Sequence, residues 1–190
     1  SSSFKDFIDF GFEPEFIGRL PIRVVCKSLN EDDLYNILKN SEGSLITQYI
    51  QAFKAYGVDV YFSDEALHSI AKLAYQEKTG ARALMTICEK ILRDYKFELP
   101  SFSKINAFVV NEQVVLHPKE ELDKILRDDV YNQRNIIREQ IILFEQNFFK
   151  KFNIQIEFND EAKQEIIDYI ASTQIKIQEF LENLLQNYEH

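Results

Sequence analysis

Arg82 stands where a helix ordinarily disfavours a cation. The run Lys78-Thr79-Gly80-Ala81-Arg82-Ala83-Leu84 leads into an amphipathic segment, and with Thr79 as N-cap, Arg82 is the third helical position. The partial positive charge of a helix N-terminus favours Asp or Glu there, and a cation costs about 0.3 kcal/mol or more. A residue that breaks its local rule is often there for function, the plain alternative being an exposed ion pair with Glu77 or Glu89. Arg19, in Gly18-Arg19-Leu20-Pro21, is the second arginine in a distinctive setting, with Glu13 and Glu15 as its plain alternative partners. The remaining chemistry is thin. The five glycines (Gly11, Gly18, Gly43, Gly57, Gly80) make neither a GxxxxGK[ST] loop nor a GxGxxG turn, so no self-sufficient nucleotide cradle is present. His68, His117 and His190 are scattered, with no second His four residues on from any of them, so neither a metal site nor a nucleophile–base pair is expected. Cys26 and Cys88 lie too far apart for a CxxC pair or a zinc knuckle and read as buried free thiols of a reducing cytoplasm.

These residues sit in a chain of ordinary globular composition. Its 190 residues carry 22 Lys plus Arg against 31 Asp plus Glu, a formal charge of -9, with 45% hydrophobic residues. No apolar run approaches the roughly 18 residues of a membrane span, and Ser1-Ser2-Ser3-Phe4-Lys5-Asp6 lacks the pattern of a signal peptide. The acidic balance disfavours nucleic acid, whose phosphates are held by clustered Lys and Arg. All four prolines and all five glycines fall in residues 1–118 and none in the last 72, so the tail is expected to be almost wholly helical. The tail is also the more acidic part, net -6 against -3.

An α+β unit, mostly helical, is expected over residues 28–118. Asn30 before Glu31-Asp32-Asp33 caps a first helix with Leu34, Ile37 and Leu38 on one face. A second helix follows over 44–56, then Gly57 as a turn residue and Val58-x-Val60-x-Phe62 as a short strand. Ser63 caps a third helix with Leu67, Ile70, Ala71 and Ala74 as its stripe, and the helix after Thr79-Gly80 carries Leu84, Ile87, Cys88, Ile91 and Leu92, so the two stripes should pack together. Phe108-Val109-Val110 and Gln113-Val114-Val115-Leu116 flanking Asn111-Glu112 predict a C-terminal hairpin.

Residues 119–190 read as a helical extension. Leu122, Ile125, Leu126, Val130, Ile137, Ile141 and Phe144 predict one long helix over 119–151. At an offset of 96, Phe53-Lys54 falls on Phe149-Lys150, Val58-x-Val60-x-Phe62 on Ile154-x-Ile156-x-Phe158, Ser63-Asp64-Glu65-Ala66 on Asn159-Asp160-Glu161-Ala162, and Ile70 on Ile166. Cap, strand alternation and helix phase agree at one offset, which predicts a degenerate partial repeat of residues 48–92. The repeat has Ile175-Lys176-Ile177-Gln178 where the first copy has Thr79-Gly80-Ala81-Arg82, so it does not reproduce the arginine motif.

Two motifs carry a family resemblance. Phe10-Gly11-Phe12-Glu13-Pro14-Glu15-Phe16-Ile17-Gly18-Arg19-Leu20-Pro21 resembles the segment that joins the large and small AAA+ domains in the ClpX family of protein unfoldases. Lys78-Thr79-Gly80-Ala81-Arg82-Ala83-Leu84 resembles that family's sensor-2 motif, at a fitting distance, and Leu99-Pro100-Ser101 extends the likeness to about Pro118. HslU shares Gly-Arg-Leu-Pro-Ile-Arg-Val, while Pro-Glu-Phe-Ile-Gly and Lys-Thr-Gly-Ala-Arg favour ClpX. The resemblance implies an AAA+ small (lid) domain over 28–118, preceded by a linker, 1–27, from a large domain. It implies a cytoplasmic ATP-driven homo-hexamer acting on unfolded protein substrates with a ClpP-like peptidase. Arg82, with Gly80 and Ala81, would meet the phosphates of ATP or ADP, bound with Mg2+ by the large domain, and Arg19 would be the arginine finger toward a neighbouring subunit. Both roles use a planar, permanently charged fork against phosphate oxygens. Walker A, Walker B, pore loops and the peptidase-docking loop belong to the large domain, so these residues alone are expected to be inactive and to hold no nucleotide tightly. The cluster Phe4, Phe7, Phe10, Phe12 and Phe16 would then pack partly on that domain. The other reading is a non-enzymatic interaction or oligomerisation module acting through residues 119–190.

Overall fold

The computed structural model describes residues 28–40, 44–102, 104–173 and 175–186. The aromatic cluster Phe4 to Phe16, Arg19 and Cys26 lie outside them. The chain begins with α1 (Glu31–Asn40), whose start is set by a reciprocal cap: Asn30 Oδ1 accepts from Asp33 N–H at 2.8 Å and Asp33 Oδ2 from Asn30 N–H at 3.0 Å. Next come α2 (Leu45–Lys54), capped by Ser44, and β1 (Asp59–Phe62), with Gly57 between them at φ 78°. α3 (Asp64–Gln76), capped by Ser63, and α4 (Ala81–Glu98) pack their expected apolar stripes together. A 3-10 turn, Leu99–Ser101, then leads to β2 (Ala107–Val110).

β1 and β2 pair in parallel, with Val60 opposite Phe108, so α3 and α4 form the crossover between them. Phe108 lies at the centre of the core, edge-on to Phe53 at 5.3 Å and stacked on Tyr95 at 5.2 Å. The expected C-terminal hairpin is not formed. Asn111, at φ -100°, instead caps α5 (Glu112–Leu116), its Oδ1 accepting from Val114 N–H at 3.0 Å. A two-residue hairpin turn of this type needs positive φ at both central residues, whereas Asn followed by Glu is equally good helix-start chemistry. With β1 already available as a partner, the valines after the cap go into a helix and both Val114 and Val115 are buried.

The single helix expected over 119–151 is divided. α6 (Pro118–Arg127) ends at Asp128, and α7 (Asp129–Phe152) starts there, because the Asp128 side chain accepts from Tyr131 N–H at 2.9 Å and breaks the helical path. Tyr131 and Lys124 both bond the buried Glu121, tying the two helices across the bend. α7 then carries two stripes. Asn132, Ile136 and Glu139 are buried on one side, where Asn132 Nδ2 donates to the Ala107 carbonyl of β2 at 2.9 Å and covers that strand's free edge. Ile137, Ile141 and Phe144 form a second, smaller core with α8 (Asp160–Thr173) and α9 (Ile177–Gln186). Arg134–Asp168 at 2.7 Å and Lys163–Glu145 at 3.5 Å cross between α7 and α8. Among the described residues, no helix is long and apolar enough to cross a membrane.

The expected strand at Ile154-x-Ile156-x-Phe158 is also absent: residues 154–159 have no regular structure. β1 is held as a strand by pairing with β2, and no strand of the described chain pairs with 154–158.

Glu139 is 5% exposed, and burial together with the neighbouring Glu65 and Asp64 pushes its carboxyl up to about 7 from 4.5. The unfolded chain loses this proton near the ordinary value while the folded chain keeps it, so stability falls as pH rises from 4.5 through 7. At roughly 1.4 kcal/mol per unit the full cost is on the order of 3 kcal/mol, reached above pH 7. Glu139→Gln is therefore expected to raise the unfolding free energy by about 2–3 kcal/mol at pH 8 and by almost nothing near pH 4.5. Urea titrations of both chains at the two pH values check this, and an equal effect at both would contradict it.

Candidate functional site

The turn from α3 into α4 has an unusual backbone. Lys78 and Gly80, two residues apart, both have positive φ, 55° and 65°. The expected Thr79 cap is not used: Gly80 is the N-cap residue, with ψ -146° and no side-chain cap bond, so Arg82 is the second helical position rather than the third. Lys78 takes the left-handed turn, and its N–H donates to the Tyr75 carbonyl at 3.2 Å, closing the end of α3. Gly80 then reverses the chain into α4, whose Ala83 N–H returns to the Gly80 carbonyl at 3.1 Å. The left-handed setting of Lys78 had no signal in its residue type, which favours αL no more than its neighbours do.

Gly80 occupies a backbone region that is essentially restricted to glycine. There is space for a side chain, since the nearest atom to an added Cβ is Leu29 Cδ1 at 4.0 Å, so the constraint is conformational rather than steric. Gly80→Ala is expected to lower stability by about 1–2 kcal/mol through backbone strain. A denaturant midpoint equal to that of the unaltered chain would rule the strain out.

Arg82 is exposed and, among the described residues, makes no ion pair. Glu89 is already engaged, accepting from Tyr49 Oη at 2.9 Å and pairing with Lys96 at 3.3 Å, and these two hydrogen bonds hold its carboxyl below the usual range. Glu77 ends α3 without an ion pair to Arg82. The first turn of α4 contains no acidic residue, so its N-terminal dipole and the guanidinium present positive charge together. Lys78 and Thr79 are exposed beside it, and Met85, one turn on, is 60% exposed. Ala81 is exposed at the first helical position. The arrangement is an open, cationic helix start suited to an oxyanion delivered from outside these residues.

The rest of the described surface offers no competing centre of this kind. No group of His, Cys, Asp and Glu side chains there is placed to hold a metal. Cys88 is fully buried in the core, and desolvation pushes its thiol up to about 12, which keeps it an unreactive thiol. Two cavities of about 570 Å³ each border the extension, one against Tyr169 and Phe180, the other between Tyr61 of β1 and Phe144, Phe148 and Leu181, and Arg82 lines neither.

Residues 29–113 match the family described as the C-terminal, D2-small domain of ClpB protein. The chain carries a C-terminal small AAA+ domain of the ClpX-like type. Over 117 residues it is 41% identical to the ATP-dependent Clp protease ATP-binding subunit ClpX of Borrelia duttonii (strain Ly), covering 62% of this chain and 27% of that protein. The ClpX of Treponema denticola is 37% identical over 110 residues, 58% of this chain and 26% of the relative. The ATP-dependent protease ATPase subunit HslU of Borreliella burgdorferi is 40% identical over 119 residues, 58% of this chain and 27% of the relative. The small AAA+ domain thus resembles both ATPases to a similar degree. The chain spans about a quarter of the length of these relatives. The Lys78–Leu84 motif falls inside the matched small domain, whereas α7 from residue 129 onward and all of α8 and α9 lie beyond residue 113, where the family match ends.

Proposed function

We propose that residues 28–118 serve as the small domain of an ATP-driven, ring-forming protein unfoldase, and that Arg82 bonds the phosphates of nucleotide held by a large AAA+ domain, which these 190 residues do not contain. The observation that carries this reading is an exposed Arg82 with no ion-pair partner among the described residues, on a helix start without an acidic residue or side-chain cap. Gly80 and Ala81 give the turn that brings this helix start to the phosphates. ATP or ADP with Mg2+ supplies the charge that this cationic surface lacks a partner for, and Met85 and Phe97, both exposed on α4, are suited to contact the large domain. Residues 1–27 act as the linker from the large domain, with Arg19 reaching nucleotide in the neighbouring subunit of a homo-hexamer. Unfolded proteins are the substrates and a ClpP-like peptidase the downstream partner, in the cytoplasm. The test is kinetic: Arg82→Ala in the longer chain that supplies the Walker motifs, with ATP turnover as readout, and normal turnover would refute the role.

A second reading has its own observation. Residues 119–190 build a separate apolar core on α7, α8 and α9 and seal the β2 edge through Asn132, which suits a module for interaction or oligomerisation attached to the small domain. Removing residues 129–190 should then change oligomer size or partner retention on a column, and no change in either would end this reading.

A further inference from the structure

The backbone that leads into and out of β1 recurs 96 residues later. Gly57 and Asn153 both have positive φ, 78° and 55°. Ser63 and Asn159 each accept from the N–H three residues on, Ala66 at 3.2 Å and Ala162 at 2.8 Å. α3 starts at Asp64 and α8 at Asp160, while α4 starts at Ala81 and α9 at Ile177. Between Asn153 and Asn159, however, the strand is missing and its first apolar side chain is uncovered: Val58 is 2% exposed and its counterpart Ile154 is 57% exposed, while Ile156 and Phe158 are half-buried, Phe158 against the second core.

The donors that β1 uses are free in this second setting. Asp59 and Ser63 N–H donate to the carbonyls of Asn106 and Val110 at 2.8 and 3.0 Å. The corresponding N–H groups, of Gln155 and Asn159, have no hydrogen-bond partner among the described residues, and neither has that of Glu157 between them. Phe158 N–H, which points to the opposite edge in a strand, is held by Glu145 Oε1 at 2.7 Å. One edge of the segment is therefore tied down and the other is open.

We propose that residues 154–158 are a vacant strand position that takes up an extended segment of another protein, apolar at alternate positions and laid parallel to the chain as β2 lies along β1. β2 supplies the chemistry of the occupant, Ala107-Phe108-Val109-Val110, because it is what completes the same backbone in the first unit. A second copy of this chain is the poorer occupant, since its own β2 is buried and already paired. Main-chain bonds provide the affinity in such strand addition, and the alternate side chains, here facing Ile154, Ile156 and Phe158, provide the selection.

The test is amide hydrogen exchange on the 190-residue chain with and without a synthetic peptide of residues 104–111, Lys-Ile-Asn-Ala-Phe-Val-Val-Asn. The expected result is saturable, at least tenfold slowing at Gln155, Glu157 and Asn159, with Phe158 unchanged. A peptide carrying Val110→Pro, which removes an N–H facing the chain in this register, should bind at least tenfold more weakly, and so should the protein variant Glu157→Pro. Because the peptide variant leaves the protein untouched, its result stands even where Glu157→Pro perturbs folding. No slowing at these amides, or equal binding of the Val110→Pro peptide, would overturn the proposal. Slowing of the same amides that grows with protein concentration and needs no peptide would also overturn it, in favour of a second copy.

Discussion

On the proposed function, Arg82→Ala in a chain that also supplies the Walker motifs is expected to lower ATP turnover by ten- to a thousandfold, with a smaller change in the stability of the small domain. The two effects separate because Arg82 makes no ion pair among the described residues, so truncating it removes nothing that the fold uses. A cation in the first turn of a helix is locally unfavourable by about 0.3–1 kcal/mol, and the alanine variant should melt at the same temperature or slightly higher. The charge matters only when phosphate oxygens reach the guanidinium, where charge-assisted, paired hydrogen bonds are worth roughly twice their neutral counterparts. Arg82→Lys is therefore expected to recover only part of the turnover, since a lysine keeps the charge and loses the planar fork. Arg82→Glu should be the most stable of the three variants and the least active, because it suits the helix dipole and repels the phosphate. Turnover within twofold of the unaltered protein for all three variants would remove Arg82 from the nucleotide site.

Phe108→Ala is expected to cost about 3–5 kcal/mol, a large part of the roughly 5–15 kcal/mol that holds a domain of this size together. Phe108 is completely buried, sits opposite Val60 in the only strand pair of the described chain, and touches Phe53 and Tyr95 ring to ring. The cavity left behind is walled by the buried rings of Phe53 and Tyr95, whose own packing limits how far they can collapse into it. Tyr95→Phe provides a graded comparison. It keeps the ring stack and removes the hydroxyl that donates to the Pro118 carbonyl at 2.8 Å, and should cost about 1–2 kcal/mol. Urea midpoints of the two variants should therefore differ clearly in the order Phe108→Ala below Tyr95→Phe, and equal midpoints would place the core elsewhere.

The elements over residues 30–98 were legible because each carries its own signals. Asn30 and Ser63 cap the helices they precede, Gly57 marks the turn, and the stripes of α3 and α4 repeat at helical spacing. The errors fall where a local signal has two uses. Asn111-Glu112 serves as a hairpin turn or a helix cap, and only the presence of β1 as a parallel partner for β2 decides between them. Asp128 looks like one more polar residue on a helix face, yet its carboxylate caps Tyr131 and divides α6 from α7. Ile154-x-Ile156-x-Phe158 has the alternation of a strand, but a strand needs a neighbour, and alternation says nothing about whether one is supplied.

The candidate site divides in the same way. The sequence by itself determined the helix that begins after Gly80, the misfit of Arg82 within its first turn, and the family to which this motif is similar, since all three depend on residues a few positions apart. What only the tertiary structure decided is that Gly80 rather than Thr79 is the cap, that Lys78 adopts a left-handed turn, and that Glu89 is committed to Tyr49 and Lys96 and leaves Arg82 unpaired. Tyr49 lies 40 residues from Glu89, and no local pattern encodes that meeting. Backbone propensity and periodicity act over a turn or two of chain, whereas the choice of hydrogen-bond and charge partners is made by whichever groups packing brings together.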